Sequence, residues 1–534
     1  MAILAAQESM ITVSRRLTLR QVATGLSCGN LCFLRRWKEL LTYTARDEYF
    51  MNLPPSPAQY YAAIFNVLLL GSIFSLLYYL VTRVESGRYY KVTRIGYLLL
   101  LAIPLNALRE ALSDYFPYLR GPLIRLIGES AAFGLFALIG ALLVLAFIVW
   151  PIRVYAAVAT LLAILVVFVP MTIGQALWRA SQYDSGPFLD RPTAPPIQSA
   201  KAPDVRVVWI VFDEMDQRLA FDERRSDLKM PELDRLRKTA VCAVQAFPPS
   251  GSTSTSLPSL IGGRLVKYVQ ITGPTNLSIR YFGSSQFVHW TDEPNIFRRA
   301  RAMGLNVGLG GWYHPYCRLL ASDVTYCEWE PIELVSNTVG RTFGLAAANQ
   351  LRSLFETSIY SPFGQSLDTK TRVRREAQLL DWGKRLTADP SIGVVFLHLQ
   401  PPHTPFTYNR RSGTFDLRNS GVQGYIDALA DVDRTFGEIR RAMEKARLWE
   451  SSAVLVSSDH WYRSATVLDG KSDHRIPFLL KLPGQTSAAT YSQPFNTVVS
   501  QELVQCILKK QLFTSQDVVR WLDVHRNDVP VHPF

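Results

Sequence analysis

The chain has 534 residues, of which 48% are hydrophobic and only 19% are charged. This length exceeds that of one small domain. Aromatic residues make up 11% of the chain. Together with the long apolar runs, they bury enough apolar surface to offset the conformational entropy lost on folding, which excludes intrinsic disorder for most of the chain. The net charge of +13 comes from 57 basic and 44 acidic residues. We do not assign this charge to nucleic-acid binding, because no recognised nucleic-acid module accompanies it.

Three apolar runs are long enough to cross a bilayer. Residues 61–82, 131–150 and 154–177 carry no charge, and a membrane-spanning helix needs about 20 such positions. The last two runs are separated by a short turn and predict a membrane hairpin. Residues 95–108 are shorter and contain Pro104, so they fit a fourth span, a re-entrant segment or a buried helix, of which we favour the span. We therefore predict a transmembrane domain of three or four helices over residues 51–182.

Basic residues beside the apolar runs predict the orientation, because Lys and Arg near a span are retained in the cytoplasm. The connection that follows the first apolar run is rich in Lys and Arg, which places it in the cytoplasm. With four spans, the N-terminus and everything after residue 177 then lie outside the cytoplasm. The basic tail, residues 1–50, would then be translocated, which is unfavourable. Three spans with the tail inside, or a translation start at Met51 that leaves the tail untranslated, both remove this conflict, and we favour the Met51 start. The basic residues of the first connection are Arg83, Arg88, Lys91 and Arg94.

A second domain follows a proline-rich linker. Residues 183–203 are aperiodic and rich in Pro, which is typical of an extended tether. From residue 204 to residue 534, short β-branched runs alternate with amphipathic helical patterns. This alternation predicts an α/β domain with a largely parallel sheet flanked by helices on both faces. With the orientation above, the domain lies on the periplasmic, extracytoplasmic side of the cytoplasmic (inner) membrane.

Two cysteines of this domain are a candidate pair. Cys317 and Cys327 lie in a loop-like stretch, and a disulfide between them would fit an oxidising compartment. Two unpaired thiols are the alternative, because spacing alone does not establish the Cβ geometry.

Polar side chains end three of the apolar runs in the second domain. The carboxyl ends of parallel strands meet at one edge of a sheet, where ligands bind. Carboxylates and imidazoles together favour zinc or manganese over calcium. Each pair alone is also typical of a strand-end cap or a turn. The residues are Asp213 and Glu214 after the first run, His398 and His403 in and after the second, and Asp459 and His460 after the third.

A hydroxyl-rich loop, residues 249–264, leads into an apolar helical pattern. It predicts a side-chain oxygen and free backbone N–H groups at a helix N-terminus, an arrangement that binds a phosphoryl or sulfuryl group. A bare Ser/Thr loop is more often a linker.

The order of these motifs resembles the alkaline phosphatase and sulfatase superfamily. After the strand with Asp213-Glu214 come Thr-x-x-Ser-x-Pro-Ser-Leu-x-x-Gly-Arg, His-x4-His-x-Pro, Ser-Asp-His and His-Arg-x-Pro. The resemblance covers roughly residues 205–483. With a membrane domain in front, the chain looks like the branch of lipid A phosphoethanolamine transferases and lipoteichoic acid synthases.

The resemblance implies roles for individual residues. Thr253 matches the nucleophile, which type I sulfatases replace by a modified Cys within Cys-x-Pro-Ser-Arg. This chain lacks that motif, so sulfate ester hydrolysis by that route is disfavoured. Metal ligands are implied at Asp213, Asp459 and His460 with the Thr253 oxygen, and Glu214 is a second ligand or a neighbouring acid. Substrate contacts are implied at His403 and His474, which alternatively complete a second metal site or protonate the leaving group, and at His398, which is otherwise structural.

The expected function is therefore that of a metal-dependent enzyme in the cell envelope. We expect a phosphotransferase that moves a phospholipid head group, of the phosphoethanolamine or phosphoglycerol type, to an envelope glycan or lipid through a phospho-threonine. The expected cofactor is zinc, with manganese as the alternative, as one or two ions. A hydrolase with the same residues, acting on a phosphodiester, a phosphomonoester or a sulfate ester, is one alternative. A non-catalytic envelope scaffold is the other.

Overall fold

The computed structural model describes residues 19–84, 87, 89–113, 126, 129–198, 204–332, 342–357, 367–415 and 421–533. Parts of the predicted tail (1–18) and linker (199–203), and Arg88 of the first connection, lie outside the described residues. The chain forms two compact units. The helical unit comprises Met1–Tyr43, Pro54–Asp184 and Val335–Gly364, and the α/β unit comprises Thr44–Leu53, Ser185–Leu334 and Gln365–Phe534.

The elements are numbered in chain order. The helices are α1 (Leu34–Leu41), α2 (Ala45–Phe50), α3 (Pro57–Thr82), α4 (Tyr89–Ser113), α5 (Glu129–Val149), α6 (Pro151–Ile164), α7 (Phe168–Ser181), α8 (Pro231–Arg237), α9 (Thr253–Gly262), α10 (Ile296–Ala302), α11 (Tyr316–Leu319), α12 (Phe343–Thr357), α13 (Leu367–Ala388), α14 (Tyr425–Lys445), α15 (Ala465–Asp469), α16 (Ser500–Leu508) and α17 (Ser515–His525). The strands are β1 (Arg206–Asp213), β2 (Val241–Ala243), β3 (Ala246–Phe247), β4 (Val266–Gly273), β5 (Asn276–Tyr281), β6 (Val288–His289), β7 (Asn306–Tyr313), β8 (Tyr326–Pro331), β9 (Ile392–Pro402), β10 (Tyr408–Asn409), β11 (Thr414–Phe415), β12 (Ser452–Ser458), β13 (Phe478–Lys481), β14 (Ala489–Tyr491) and β15 (Phe495–Asn496).

The helical unit contains the predicted apolar segments. Three helical stretches in the described part of the chain are long and apolar enough to cross a membrane: Pro57–Thr82, Tyr89–Arg109 and Pro151–Ser181. The second includes residues 95–108, with Pro104 inside the helix. Residues 131–149 lie in α5, and a short 3-10 turn, Leu165–Val167, joins α6 to α7.

A helix over residues 19–32 precedes α1 and packs tightly on α3 through small residues. A Cβ atom at Gly25 would lie 2.4 Å from the carbonyl oxygen of Gly71, and one at Gly29 would lie 2.4 Å from that of Val67. Only glycine permits this approach of two helix backbones, as in the small-xxx-small contacts of membrane helices. This part of the predicted tail is therefore an ordered element of the helical unit.

The α/β unit is built on an eight-stranded sheet of order β14-β2-β13-β12-β1-β9-β7-β8. Strands β12, β1, β9, β7 and β8 run parallel to one another, whereas β13 runs antiparallel to its neighbours β12 and β2. All eight residues of β1 are buried, because helices cover both faces of the sheet. Side chains of Trp209 and its i±2 neighbours pack with α9, α10 and α16. Those of Ile210 and its i±2 neighbours pack with α8, α13 and α14, and the predicted fold class is confirmed.

The core of the α/β unit includes α2, which precedes the first apolar helix. Tyr49 is fully buried, and its hydroxyl forms a hydrogen bond with His314 Nδ1 at 2.6 Å. The buried Arg318 guanidinium donates to the backbone oxygens of Tyr49 and Met51 at 2.6 and 2.8 Å. The buried Tyr49 side chain and the charge-assisted hydrogen bonds from Arg318 thus hold α2 in the core of the α/β unit. The same region of the unit holds the Cys317–Cys327 disulfide, whose Cα atoms are 5.6 Å apart.

Candidate active site

The carboxyl ends of two neighbouring strands bring three metal-ligand types together. Asp213 ends β1 and Asp459 follows β12 directly, and the two strands pair in parallel up to Phe212 and Ser458. His460 comes next in the chain. Asp213, Asp459 and His460 each offer one ligand atom within 4.8 Å of the others, and all three residues are buried. The parallel pairing of β1 and β12 therefore places these three residues together at the carboxyl ends of the two strands.

Thr253 completes the cluster from a helix N-terminus. It is the first residue of α9, after the extended Ser252. Its Oγ1 lies 3.1 Å from His460 Nε2 and donates to Asp213 Oδ2 at 3.4 Å. Thr255 donates to the Ser250 hydroxyl at 2.7 Å, which braces the loop. The hydroxyl thus faces both the cluster and the positive end of a helix.

The unsatisfied atoms of the cluster fit a divalent cation. Asp213 Oδ1 and Asp459 Oδ2 are buried without a hydrogen-bond partner, a costly state for carboxylates in a protein interior. His460 Nδ1 donates to the Trp461 carbonyl at 2.9 Å, because a carbonyl only accepts. This leaves the Nε2 lone pair facing Asp459 Oδ2 at 3.5 Å, which is the tautomer of a metal-ligating imidazole.

Burial also sets the protonation of these groups. It lowers the pKa of His460 to about 4, so the imidazole is neutral at pH 7 and free to bind a cation. Burial first, and the nearby Asp459 carboxylate second, raise the pKa of Asp213 well above its ordinary value. Burial raises the pKa of Asp459 as well. A cation favours the ionised carboxylates and would reverse these two shifts.

Glu214 supports the cluster from outside. Its carboxylate accepts from Arg463 Nε at 2.9 Å, and its backbone N–H donates to Asp459 Oδ1 at 3.1 Å. Its backbone lies in the left-handed region, with φ 66°, and the Tyr425 hydroxyl donates to its carbonyl at 2.7 Å. The structure therefore pairs Glu214 with Arg463, while the compact group of possible ligands in the described part of the chain comprises Asp213, Asp459 and His460; a ligand role for Glu214 stays a prediction.

The three predicted substrate histidines lie in different surroundings. His398 is fully buried in β9, with Nε2 3.5 Å from Asp213 Oδ2, and its Nδ1 donates to the Trp312 carbonyl at 3.0 Å. His403 is partly buried after β9; its Nδ1 donates to the Thr404 carbonyl at 2.7 Å. His474 is exposed and stacks on Trp461 at a centroid distance of 4.0 Å. His403 and His474 are thus open to a ligand, whereas His398 is enclosed in the core, where its Nε2 faces Asp213 without a hydrogen bond.

The sulfatase family model matches residues 206–509, which is more than half of the chain and includes every site residue above. The chain belongs to the sulfatase family. Enzymes of this family are metal-dependent, which agrees with the unsatisfied cluster. Both the predicted superfamily and the prediction that the protein is an enzyme are confirmed.

Solved structures similar to this sulfatase-family chain include both sulfatases and phosphoryl enzymes. The lipoteichoic acid synthase LtaP from Listeria monocytogenes is 15% identical with a TM-score of 0.36, covering 59% of this chain and 74% of that one. A phosphonate monoester hydrolase of Agrobacterium radiobacter is 13% identical with a TM-score of 0.37, covering 57% and 74%. A 2-O GAG sulfatase is 11% identical with a TM-score of 0.37, covering 59% and 72%.

Several residues of this sulfatase-family site were not predicted from the sequence. Arg463 pairs with Glu214, and Trp312 contacts the His403 ring at 5.0 Å. Tyr316 lies with its hydroxyl 3.1 Å from His398 Nδ1. Arg463 had a weak sequence signal, since it follows His460 by only three positions, but the aromatic residues come from β7 and α11, which no motif marks.

Proposed function

We propose that the protein is a membrane-associated phosphotransferase that moves a phospholipid head group to an envelope glycan or lipid through a phospho-threonine at Thr253. The observation that carries this proposal is a threonine hydroxyl, and not a cysteine, at the N-terminus of α9 in contact with His460 and Asp213. Threonine is not the residue that sulfate ester hydrolysis by modified cysteine needs. The Thr253 hydroxyl is instead suited to attack on the phosphorus of a phosphate ester.

The cation in this proposal is zinc, held by Asp213, Asp459, His460 and the Thr253 oxygen, with manganese as the alternative. A bound divalent cation supplies positive charge that lowers the pKa of the Thr253 hydroxyl and stabilises negative charge on the phosphoryl group. Mixed carboxylate and imidazole ligands favour these two metals over calcium.

In the first displacement, the Thr253 oxygen attacks the phosphorus of the donor. The hydroxyl proton passes to Asp213 Oδ2, the carboxylate oxygen to which it already donates. The bond between phosphorus and the diacylglycerol oxygen breaks, and diacylglycerol leaves as the protonated alcohol. The head-group phosphate stays on Thr253.

His403 or His474 protonates the leaving alcohol. The Nδ1 proton of His403 is held by the Thr404 carbonyl, so Nε2 is the nitrogen that carries the transferable proton. His474 offers a second exposed imidazole beside Trp461. In the second displacement, an acceptor hydroxyl loses its proton to the histidine that protonated diacylglycerol and attacks phosphorus. The bond between phosphorus and Thr253 breaks, and the Thr253 oxygen takes back the proton held by Asp213 Oδ2.

The apolar helices support a membrane-embedded donor. Tethering confines the site to the plane of its lipid and raises the effective donor concentration. The Cys317–Cys327 disulfide favours an oxidising compartment, so we place the α/β unit, which contains most of the proposed catalytic domain 204–534, on the periplasmic side of the cytoplasmic membrane.

The products of the purified full-length protein test this proposal. With head-group-labelled phosphatidylethanolamine or phosphatidylglycerol in mixed micelles, we expect release of diacylglycerol and transfer of label to a hydroxylated glycolipid, both abolished by Thr253→Ala. Label appearing only as free head-group phosphate would identify a hydrolase. Turnover of an aryl sulfate but of no phosphate ester would identify a sulfatase, and an absence of bound metal and of all turnover would favour a scaffold.

A further inference from the structure

Tyr313 lies at the same edge of the sheet as the Asp213 cluster, although no motif marks it. It is the last residue of β7, two positions after Gly311, which pairs with His398 on β9. Its backbone lies in the left-handed region, with φ 75°, where a non-glycine residue is strained. Such strain is retained where the surroundings hold a side chain in one place, often at a site of function.

The hydroxyl of Tyr313 lies close to the reacting groups. Tyr313 is only partly buried, so a ligand reaches its side chain. Burial first, and the Asp213 carboxylate second, raise its pKa to about 12, while a hydrogen bond with the Ser254 side chain opposes this shift. A phenol is an ordinary hydrogen-bond donor at neutral pH, and this one lies beside Ser254, the residue that follows Thr253 in α9.

Helix α2 holds the Tyr313 ring from the other side. Phe50 meets this ring edge-on at a centroid distance of 5.1 Å. The helix is fixed by the capping box of Thr44 with Asp47, as well as by the Tyr49 and Arg318 contacts described above. The segment before the first apolar helix thus forms one wall beside the nucleophile.

The same face of α2 carries a cation. Arg46 precedes Phe50 by four residues, so the two side chains lie on one side of the helix. Arg46 is exposed and electrostatically coupled to Tyr313. Within the described residues, no carboxylate forms an ion pair with it. Its charge is therefore available to an anionic ligand that enters past Tyr313.

We propose that Tyr313 and Arg46 form an oxyanion subsite next to Thr253. The Tyr313 hydroxyl donates to a non-bridging oxygen of the phosphoryl group under attack, and Arg46 pairs with a second negative charge of the substrate. This inference rests on the proposed function and deepens it. It assigns the enzyme to phosphate esters with a second phosphate or carboxylate charge, carried by the donor or by the acceptor.

Kinetics of the full-length enzyme in detergent test the subsite with two chromogenic esters. Bis(p-nitrophenyl) phosphate carries one negative charge and p-nitrophenyl phosphate carries two at pH 8. We expect Tyr313→Phe to lower kcat about 100-fold for both esters, as for loss of one oxyanion donor. We expect Arg46→Gln to raise KM about fivefold for the doubly charged ester only, and added salt to remove this difference.

Two control variants remove the same groups elsewhere in the α/β unit. Tyr491→Phe removes a hydroxyl that donates to Asp523 at 3.1 Å, and Arg299→Gln removes an exposed charge on α10; both are expected to match wild type. Melting temperatures of all variants separate loss of fold from loss of contact. A Tyr313→Phe or Arg46→Gln enzyme that is folded and kinetically equal to its control overturns the subsite.

Lipid substrates show whether the donor or the acceptor carries the second charge, and Thr253→Ala separates the proposed function from the proposed subsite. If Arg46→Gln raises KM more for phosphatidylserine than for phosphatidylethanolamine, the donor carries the second charge. If it raises KM more for a phosphorylated than for an unphosphorylated glycolipid, the acceptor carries it. Either result supports the subsite. Ester turnover that survives Thr253→Ala refutes the proposed function. Turnover that Thr253→Ala abolishes, with the subsite variants at wild-type values, refutes the subsite alone.

Discussion

Truncation of Tyr49 is expected to destabilise the α/β unit strongly. The side chain is fully buried, its ring meets Phe50 edge-on at 5.1 Å, and its hydroxyl forms a hydrogen bond with His314. Removal of a fully buried aromatic ring costs about 3–5 kcal/mol. Tyr49→Phe keeps the ring and only leaves His314 Nδ1 without its hydrogen-bond partner, which costs about 1–3 kcal/mol. The expected order of stability is wild type, then Tyr49→Phe, then Tyr49→Ala.

Urea denaturation of the full-length protein in detergent, followed by tryptophan fluorescence, measures these differences. Tyr268→Ala is the matched control, because Tyr268 is 46% exposed and its truncation is expected to change the free energy of unfolding by about 0.5 kcal/mol or less. A Tyr49→Ala protein as stable as Tyr268→Ala would refute the assignment of α2 to the core. A chain that starts at Met51 would lack Tyr49 and Phe50; that start site stays a prediction, which the intact mass of the native protein tests.

Three further predictions concern the cluster, the disulfide and a buried acid. Asp459→Asn keeps the Oδ1 acceptor but replaces the unpaired Oδ2. We therefore expect the affinity for the metal and the turnover rate to fall at least about 100-fold. A metal content equal to that of wild type, measured by mass spectrometry, would contradict this expectation. Replacing Cys317 and Cys327 by Ser opens a ten-residue separation and is expected to cost about 3 kcal/mol of unfolding free energy, and equal urea midpoints would argue against it. Burial raises the pKa of Asp433 to about 6, above its ordinary value, so its contribution to stability is present below about pH 4 and is lost as the pH rises through 6. Asp433→Asn should therefore flatten the fall in unfolding free energy over that range, and an unchanged slope would refute the assignment.

The sheet was predictable because its central strands carry one uniform signal. β1, β9 and β12 are buried almost throughout, so each contains a short apolar run with polar residues at or just after its end. The parallel register then forces the ends together, which is why Asp213, Asp459 and His460 could be grouped before their distances were known.

Contacts from remote or unmarked segments were not predictable. Helix α2 is only six residues long, too short to show a helical period of apolar residues within the tail. The Gly25 and Gly29 contact with α3 was missed because the helix of residues 19–32 is not apolar throughout. Glu214 stands beside Asp213 in the chain, yet its left-handed backbone turns it to Arg463, a direction that residue order does not encode.

The most direct test of the central claim is a search for the covalent intermediate. Purified full-length protein is incubated with head-group-labelled phospholipid without acceptor, and the peptide that contains Thr253 is analysed by mass spectrometry. We expect a head-group phosphate on Thr253 that requires zinc or manganese, disappears on addition of acceptor and is absent from Thr253→Ala. Turnover of the lipid with no adduct on Thr253, or with the adduct on another residue, would contradict it.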